Sequence, residues 1–443
     1  MSTSASRESS YGRGAAVLSV GIGVTGLVTF AYFALASHSL TEDEYGRITL
    51  LWSAIFITVS VLYRPVEQLL SRTIADHDAR GIEGSQHLRV AATIQLGLGV
   101  AFAVVALALR GPIQDDLLGG SSALYWILVV AVLAYAASYF ARGYLAGHHR
   151  FELYGGLVLM EACSRCLFAL AVAVGIAEGQ TAVALGMAAA PIVSLAVVPP
   201  ALARRIAPPS QDDREPPVPA QLDAAARDEP SAREPEFTLA RGTGFAAAVL
   251  LIMVCEQTFL NAGPLLIQAS EEGARGAALA GIVFNVLLIA RAPLQLFQAV
   301  QTSILPHLTR LRAGGESDPF KRSVNLTLIA IAGFAGCVGL VMLVLGPWVM
   351  DLLFGGEFDY ERGGLVLVAF GMGLYLAAAT LNQALLAHGR ARQASASWVA
   401  AALAFVAFLL FVEFDDRVLQ VEIAFTGAAA VLCAALLLLY RRT

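Results

Sequence analysis

Twelve long apolar runs constrain the fold of this 443-residue chain more than any other feature. A run of roughly 17 to 25 residues, wound as a helix that rises about 1.5 Å per residue, crosses about 30 Å of hydrocarbon. In lipid each backbone group must be hydrogen-bonded within its own segment, so the runs predict α-helices. Only 14% of the residues are charged, against roughly 25% in a soluble domain. The chain is therefore predicted to be an all-α, polytopic integral membrane protein with twelve spans, near 14–37, 48–70, 89–109, 122–141, 153–177, 181–203, 242–268, 276–303, 323–346, 363–386, 393–412 and 418–440.

One polar segment interrupts this pattern after the sixth run. The sequence APPSQDDREPPVPAQLDAAARDEPSAREPEF, residues 207–237, is rich in proline, alanine and charge and poor in large apolar residues. Such a segment cannot bury enough surface to offset the entropy that is lost on ordering. The sequence therefore predicts an N-terminal six-helix bundle, a disordered cytoplasmic linker and a C-terminal six-helix bundle, over residues 1–203, 204–241 and 242–443.

Basic residues alternate between the two ends of the predicted helices. Of the 29 Lys and Arg residues, 21 lie in the two terminal tails and in every second loop, whereas the remaining loops are rich in Asp and Glu. Cytoplasmic loops carry an excess of Lys and Arg, so the basic loops and both termini are predicted to be cytoplasmic.

The two halves resemble copies of each other. LYRPVEQLL in the second run matches IARAPLQLF in the eighth, and LAGHHR at 145–150 recurs as LAHGRA at 386–391. Six spans are an even number, so both copies enter the membrane in the same direction. The pattern predicts a parallel internal repeat with a site between the halves.

Arg64, Arg165 and Arg291 lie within or at the margin of apolar runs. A cation at the bilayer centre costs about 2.5 to 3.5 kcal/mol, so such side chains usually face a bundle interior or a watery cavity. For Arg64, near a helix end, snorkelling to the headgroups is the alternative. Gln68 and Gln295 follow the duplicated arginines by four residues and predict polar stripes on the same helical faces.

Two prolines and two carboxylates complete the candidate site. Pro65 and Pro293 each remove a backbone donor and predict a kink that can act as a hinge. Glu161 precedes Arg165 by four residues, so the two side chains are placed to neutralise each other within one helix. Glu256 has no basic residue nearby in sequence, and this predicts either a coupling or gating carboxylate or the partner of an arginine across the cavity.

The chain carries no sequence motif of a known catalytic centre. It has no Walker A loop, no HExxH and no GxSxG, so a transporter without catalytic residues is predicted, and not an enzyme. Cys163 and Cys166 form a CxxC, but no second pair or neighbouring histidine accompanies them, and packing is the expected role. No metal site and no cofactor is predicted, while coupling to H⁺ or Na⁺ stays open.

The connection between the fourth and fifth runs, RGYLAGHHRFELYGGLVLMEACSR at 142–165, resembles that of a known family. It is similar to the oligosaccharide flippases of the multidrug/oligosaccharidyl-lipid/polysaccharide (MOP) exporter superfamily, the Wzx-like polysaccharide exporters. In that family a glycine and leucine turn is followed by Arg-Phe, a small or aromatic pair, and a glutamate in the next helix. The matching positions are Gly143, Leu145, Gly147, Arg150, Phe151, Tyr154 and Glu161.

The resemblance implies a V-shaped pair of bundles of the MATE/Wzx type in a bacterial inner (cytoplasmic) membrane. It implies alternating access that moves a polyprenyl-(pyro)phosphate-linked oligosaccharide from the cytoplasmic to the outer leaflet for surface polysaccharide biosynthesis. Besides this glycan and membrane lipid, the expected partners are a glycan polymerase or glycosyltransferases, and no nucleic acid. On this view Arg64, Arg165 and Arg291 attract the pyrophosphate, because the planar fork of arginine matches phosphate oxygens, and Glu256 couples or gates.

Two alternatives remain open at this point. A multidrug or cation antiporter of the same fold would prefer acidic residues between its halves. A non-transporting scaffold or a surface glycan polymerase belongs to another class, but such polymerases usually carry a large outer loop, and here no predicted outer loop exceeds roughly 17 residues.

Overall fold

The computed structural model is almost entirely helical and describes residues 21, 23–80, 85–148, 150–197, 239–271, 273–291, 293, 317–355 and 360–442. A π-helical turn, Pro112–Leu117, and a short 3₁₀ helix, Leu195–Val197, lie between longer helices. The α-helices, numbered in chain order, are α1 (23–39), α2 (Glu42–Leu62), α3 (Arg64–Arg80), α4 (Gln86–Ala108), α5 (Ser122–Gly147), α6 (Phe151–Ala173), α7 (Gly179–Ser194), α8 (Leu239–Ser270), α9 (Gly273–Arg291), α10 (Ser317–Phe354), α11 (Arg362–Ala387), α12 (Ala391–Phe411) and α13 (Arg417–Arg441).

Ten helical segments in the described part of the chain are long and apolar enough to cross a membrane, with α2 and α3 counted as one over Glu42–Ile74. Helix α7 is a shorter apolar helix, and α1 covers 23–39 of the first predicted span, 14–37. The predicted all-α, polytopic fold is confirmed. Most of the predicted linker, residues 204–238, lies outside the described residues, and residues 239–241 belong to the first turn of α8.

The second predicted span, 48–70, was wrong at both ends. Helix α2 begins at Glu42 because Thr41 and Glu44 form a capping box, in which the Thr41 hydroxyl accepts from the Glu44 N–H at 3.4 Å and the Glu44 carboxylate accepts from the Thr41 N–H at 3.3 Å. The helix is then interrupted at Tyr63, and α3 continues to Arg80. The basic residues Arg72 and Arg80, predicted in a loop, therefore lie on α3.

The internal repeat is visible in matching helices. Helices α5 and α11 both have 26 residues. After α5 the Arg150 N–H donates to the Leu145 carbonyl at 2.8 Å, and after α11 the Arg390 N–H donates to the Leu385 carbonyl at 2.9 Å. The sequence match of 145–150 with 386–391 is therefore one residue out of register, and the structural counterpart of 145–150 is 385–390.

Each half is built around one central helix. Helix α5 packs on α3, α4 and α7, and α11 packs on α10 and α13. Helices α4 and α10 leave most of their apolar surface exposed, as expected of helices that face lipid. Between the halves, α2 packs along α8, so residues near this crossing are placed to act between the halves.

Candidate functional site

Glu161 on α6 is the centre of a buried polar cluster in the first half. The carboxylate accepts from the Ser138 hydroxyl at 2.5 Å and pairs with Arg142 at 2.5 Å, both on α5. The Ser194 hydroxyl of α7 lies 3.4 Å away. Glu161 is 2% exposed. The partner of Glu161 is therefore Arg142 of the neighbouring helix, and not Arg165 as its spacing predicted.

Arg165 is held by aromatic side chains. Its Nη1 donates to the Tyr135 hydroxyl at 2.7 Å, and its guanidinium carbon lies 5.1 Å from the centroid of the Trp52 ring and 5.8 Å from that of Phe56. The residue is 4% exposed. Its Nε has no hydrogen-bond partner among the residues that the structure describes.

Glu67 of α3 joins this cluster from the other side. Its carboxylate accepts from the Tyr154 hydroxyl of α6 at 2.9 Å and is attracted electrostatically to Arg142 and Arg64. The Arg142 guanidinium also lies over the Tyr139 ring, 4.6 Å from its centroid. The charges of α3, α5 and α6 therefore form one connected network.

Arg64 carries this network across to the second half of the chain. It is the first residue of α3, half-buried, and interacts electrostatically with Glu256 of α8. Tyr375 of α11 is 2% exposed and lies in the field of both charges. The Tyr375 hydroxyl makes no hydrogen bond within the described part of the chain. Arg64, Glu256 and Tyr375 thus form a polar contact region between the halves.

Arg291, at the end of α9, has different surroundings from its sequence counterpart. It is 8% exposed, donates from Nη2 to the Leu260 carbonyl of α8, and lies over the Phe284 ring at 4.1 Å. Nε and Nη1 have no hydrogen-bond partner within the described ranges. Arg64 therefore reaches the other half, whereas Arg291 is bonded to its own.

The predicted hinge and amide residues are placed unevenly. Pro65 lies in the first turn of α3, directly after the interruption at Tyr63, and Pro293 follows α9 in helical conformation. Gln68 is exposed on α3, and not buried beside Arg64. Gln295 lies outside the described residues. The structure therefore connects Arg64, Glu256 and Glu161 through the network, whereas Arg165 is held by aromatic side chains and Arg291 lies apart.

The sequence analysis missed three charged residues that are buried or partly buried. Arg142 was assigned to a loop because the fourth span was ended at 141, and Glu67 was given no role. Glu422 of α13, 4% exposed, lies against the backbone of Gly364 and near Glu361 and Asp416. Arg64 was identified because it is a charged residue inside a predicted span. Glu422 also lies inside a predicted span, 418–440, so the same signal could have identified it.

A second contact region joins the halves at the ends of α2 and α9. The Tyr45 hydroxyl donates to the Asn285 side-chain oxygen, and the Asn285 amide donates to the Tyr360 hydroxyl at 2.8 Å. Gly46 packs directly on the Ala277 carbonyl, leaving no space for a Cβ. Burial raises the pKa of Tyr360, so this phenol stays protonated. We call Tyr45, Gly46, Ala277, Asn285 and Tyr360 the seam.

The arrangement can neutralise and orient charge but shows no metal site. Among the described residues, no three His, Cys, Asp or Glu side chains are grouped so that they could hold a metal ion. Nε and Nη1 of Arg291 and Nε of Arg165 are buried and have no hydrogen-bond partner within the described residues, and charged donors of this kind favour an anion.

The similarity to known sequences is distant. No model of a protein family matches the chain. Uncharacterised proteins from Mycobacterium tuberculosis and Mycobacterium bovis are 24% identical to it over 344 residues, 76% of this chain and 71% of each relative.

Solved structures give a closer match in shape. A eukaryotic MATE transporter covers 99% of this chain and 96% of its own at 14% identity, with a TM-score of 0.65. An inward-facing multidrug resistance MATE family transporter of the MOP superfamily covers 96% and 97% at 12% identity, with a TM-score of 0.64. The chain has the MATE fold.

A third solved structure also matches nearly the whole chain. It is a MOP superfamily transporter from Pyrococcus furiosus, whose binding pocket is described as having a reverse polarity that suggests a different function. It covers 97% of this chain and 95% of its own at 13% identity, with a TM-score of 0.59. At these identities the likeness concerns the fold.

Proposed function

We propose that this protein is an alternating-access flippase that moves a polyprenyl-(pyro)phosphate-linked oligosaccharide from the cytoplasmic to the outer leaflet for surface polysaccharide biosynthesis. The fold is shared with transporters that include an inward-facing form, which supports transport by alternating access. The substrate class is inferred from the charges between and within the halves.

One observation carries the choice of an anionic substrate. The three carboxylates near the contact between the halves already interact with neighbouring groups: Glu161 pairs with Arg142, Glu67 accepts from Tyr154, and Glu256 interacts electrostatically with Arg64. By contrast, Arg291 has two unpartnered guanidinium nitrogens in the described part of the chain. A lipid-linked pyrophosphate gains charge-assisted hydrogen bonds from such groups, whereas an organic cation would have to compete for these three carboxylates.

In this proposal Arg64 and Arg291 contact the pyrophosphate and Arg165 adds positive potential. Gln68 and Gln295 contact the oligosaccharide, and Pro65 and Pro293 act as hinges. Glu256 and Glu161 gate by releasing or holding their arginines, with or without H⁺ or Na⁺. The partners are the lipid-linked glycan, membrane lipid and a glycan polymerase or glycosyltransferases, and no nucleic acid.

The distribution of charge between the loops supports the proposed orientation. The seam lies at the end of the bundle whose loops are acidic, and the positive-inside rule makes this acidic end the outer one. The proposal is therefore a multi-pass protein of a bacterial inner membrane with cytoplasmic termini, closed at its outer end and built from bundles 1–203 and 242–443 that rock against each other.

The competing function is a multidrug or cation antiporter. It is favoured by the multidrug resistance transporter among the structures of the same fold. It is disfavoured because the carboxylates described near Arg64, Glu67 and Glu256, already interact with that arginine, and Glu67 also accepts from Tyr154. The neighbour with a pocket of reverse polarity indicates that pocket charge changes within this fold.

The test is translocation in proteoliposomes. A lipid-linked oligosaccharide with a polyprenyl pyrophosphate is incorporated, and its flipping is followed by the accessibility of the glycan to an external enzyme. We expect Arg64→Ala and Arg291→Ala each to slow flipping, and the double variant to abolish it, because both remove phosphate-binding groups.

Arg89→Ala is the matched control, since Arg89 is exposed on α4. It should flip at the wild-type rate. In a parallel assay the same vesicles are loaded with tetraphenylphosphonium. Unimpaired flipping by the double variant, or cation export with no flipping by the wild type, would contradict the proposal.

A further inference from the structure

Three aromatic side chains contact the Arg165 guanidinium, and a fourth lies beside one of them. Trp52 and Phe56 of α2 stack on each other at 4.0 Å, and both ring centroids are within 6 Å of the guanidinium carbon. Tyr135 of α5 accepts its hydrogen bond, and Tyr32 of α1 lies 6.0 Å from Trp52 and in the field of the charge. We call Tyr32, Trp52, Phe56 and Tyr135 the aromatic cage.

Within the described residues, Arg165 forms no ion pair. The nearest candidate on its own helix, Glu161, is occupied by Ser138 and Arg142. The positive charge of Arg165 is therefore stabilised by the negative faces of the rings and by one phenol oxygen. Attraction of this kind is strongest when the cation is desolvated, and Tyr32, Trp52, Tyr135 and Arg165 are all buried.

Aromatic cages of this composition are the chemistry by which proteins recognise organic cations such as quaternary ammonium groups. Here the ligand position is filled by a side chain of the protein. A cation from outside would meet both a steric block and a like charge that costs free energy at close range.

We propose that Arg165 is a specificity-determining residue that occupies a cation-binding aromatic cage and so excludes cationic substrates. The inference deepens the proposed function, because it explains how a fold shared with multidrug transporters is turned away from cations. The cage opens only if Arg165 is shortened. It then becomes a site for a guanidinium or small ammonium ligand.

The test is binding of methylguanidinium to the purified full-length protein in detergent, by isothermal titration calorimetry at millimolar ligand. Arg165→Ala should bind at least roughly tenfold more tightly than the wild type, which keeps the cage filled. Methylurea has the same shape without the charge and should bind neither protein. Arg165→Lys retains a cation and should behave as the wild type.

Arg165→Ala/Trp52→Leu is the control for the cage itself and should lose the new binding. Equal methylguanidinium binding by Arg165→Ala and the wild type, or equal binding of methylurea and methylguanidinium, would overturn the inference. If Arg165→Ala is not monodisperse by itself, it is purified once with methylguanidinium and once with methylurea. Monodisperse protein with methylguanidinium but not with methylurea supports the cage. Monodisperse protein with both compounds, or with neither, overturns the inference.

The experiment separates the two proposals. Binding of methylguanidinium is measured without lipid-linked glycan and without a membrane, so it succeeds or fails independently of flipping. A protein that flips no oligosaccharide can still show the filled cage. A protein that flips normally can still fail the binding test.

Discussion

Glu161 illustrates how a single buried charge is tolerated in a membrane helix. The residue is buried, and one carboxylate oxygen accepts a hydrogen bond from the Ser138 hydroxyl while the other accepts from the Arg142 guanidinium. Breaking a buried pair from one side leaves an uncompensated charge, which is more costly than never having had the pair. The arginine that matters for Glu161 therefore lies on a different helix, within hydrogen-bond distance of its carboxylate.

The first prediction concerns this pair. Arg142→Met should lower the free energy of unfolding by about 3 to 5 kcal/mol, because Glu161 is left buried with only the hydroxyl donors Ser138 and Ser194. The measurement is the apparent melting temperature in detergent. Arg142→Met/Glu161→Gln should regain much of the loss, since the unpaired charge is gone.

The control is Arg89→Met, which removes an exposed arginine from α4 and should leave the melting temperature unchanged. A double variant no more stable than Arg142→Met would mean that the cost arises from lost packing of the arginine stem and not from the stranded carboxylate.

The sequence alone found some of these residues and not their partners. Arg64, Arg165 and Glu161 were identified because a charge in an apolar run is costly wherever the helix lies. The pairing of Glu161 with Arg142 depends on how α5 and α6 pack, and a local i, i+4 rule cannot report that contact. Arg142 itself was missed because the end of a span is set by packing and caps, and hydrophobicity marks it only to within several residues.

At the scale of elements, the helices were largely predictable and their registers were not. Length and hydrophobicity fix a transmembrane helix with little help from tertiary contacts. Helix α2 starts at Glu42 because Thr41 and Glu44 form a capping box. The sequence contains this Thr-x-x-Glu pattern, but the predicted span did not take it into account. The register of α5 and α11 is fixed by backbone hydrogen bonds to Leu145 and Leu385, which leave no trace in the sequence.

The corrected register aligns Tyr135 with Tyr375, since α5 and α11 begin at Ser122 and Arg362 and have the same length. In the first half this tyrosine accepts from Arg165. In the second half it lies near Arg64 and Glu256. The repeat thus places equivalent phenols beside different charges, and the two copies have diverged in chemistry while keeping their helices.

The second prediction belongs to the crossing of α2 with α9. Gly46→Ala should destabilise the protein by about 1 to 3 kcal/mol, because the added Cβ would meet the Ala277 carbonyl and a rigid backbone cannot yield as a side chain does. Gly97→Ala is the control, since nothing lies within 4 Å of the new Cβ on α4. The readout is the apparent melting temperature, and equal values for the two variants would show that the helices separate freely at this point.

At the scale of the whole molecule, the halves are joined in two different ways. The seam is made of neutral hydrogen bonds and close backbone contact around Gly46 and Asn285. Arg64 and Glu256 add an electrostatic link between opposite charges, whereas Arg291 donates to the Leu260 carbonyl of its own half. A rocking motion that opens one end of the bundle must therefore weaken the contacts in one of these two regions while those in the other form or persist.

The last prediction tests whether the charge link itself joins the halves. Arg64→Glu and Glu256→Arg each place like charges together and should lower the apparent melting temperature. The exchanged double variant keeps one guanidinium and one carboxylate in the same place and should recover part of the loss, with a coupling energy of about 0.5 to 3 kcal/mol between neighbouring sites. The same cycle with Gln68→Glu in place of Arg64→Glu is the control, because Gln68 is exposed four residues further along α3.

Translocation measured on the same variants separates two roles of Arg64. If the residue serves only as the partner of Glu256, the exchanged variant flips lipid-linked oligosaccharide as well as it regains stability. If its guanidinium must reach the pyrophosphate from α3, stability returns and flipping does not, because the exchanged arginine projects from α8. Strictly additive effects in both assays would contradict a link between the halves at this position, since a coupling energy of zero is the signature of side chains that do not interact.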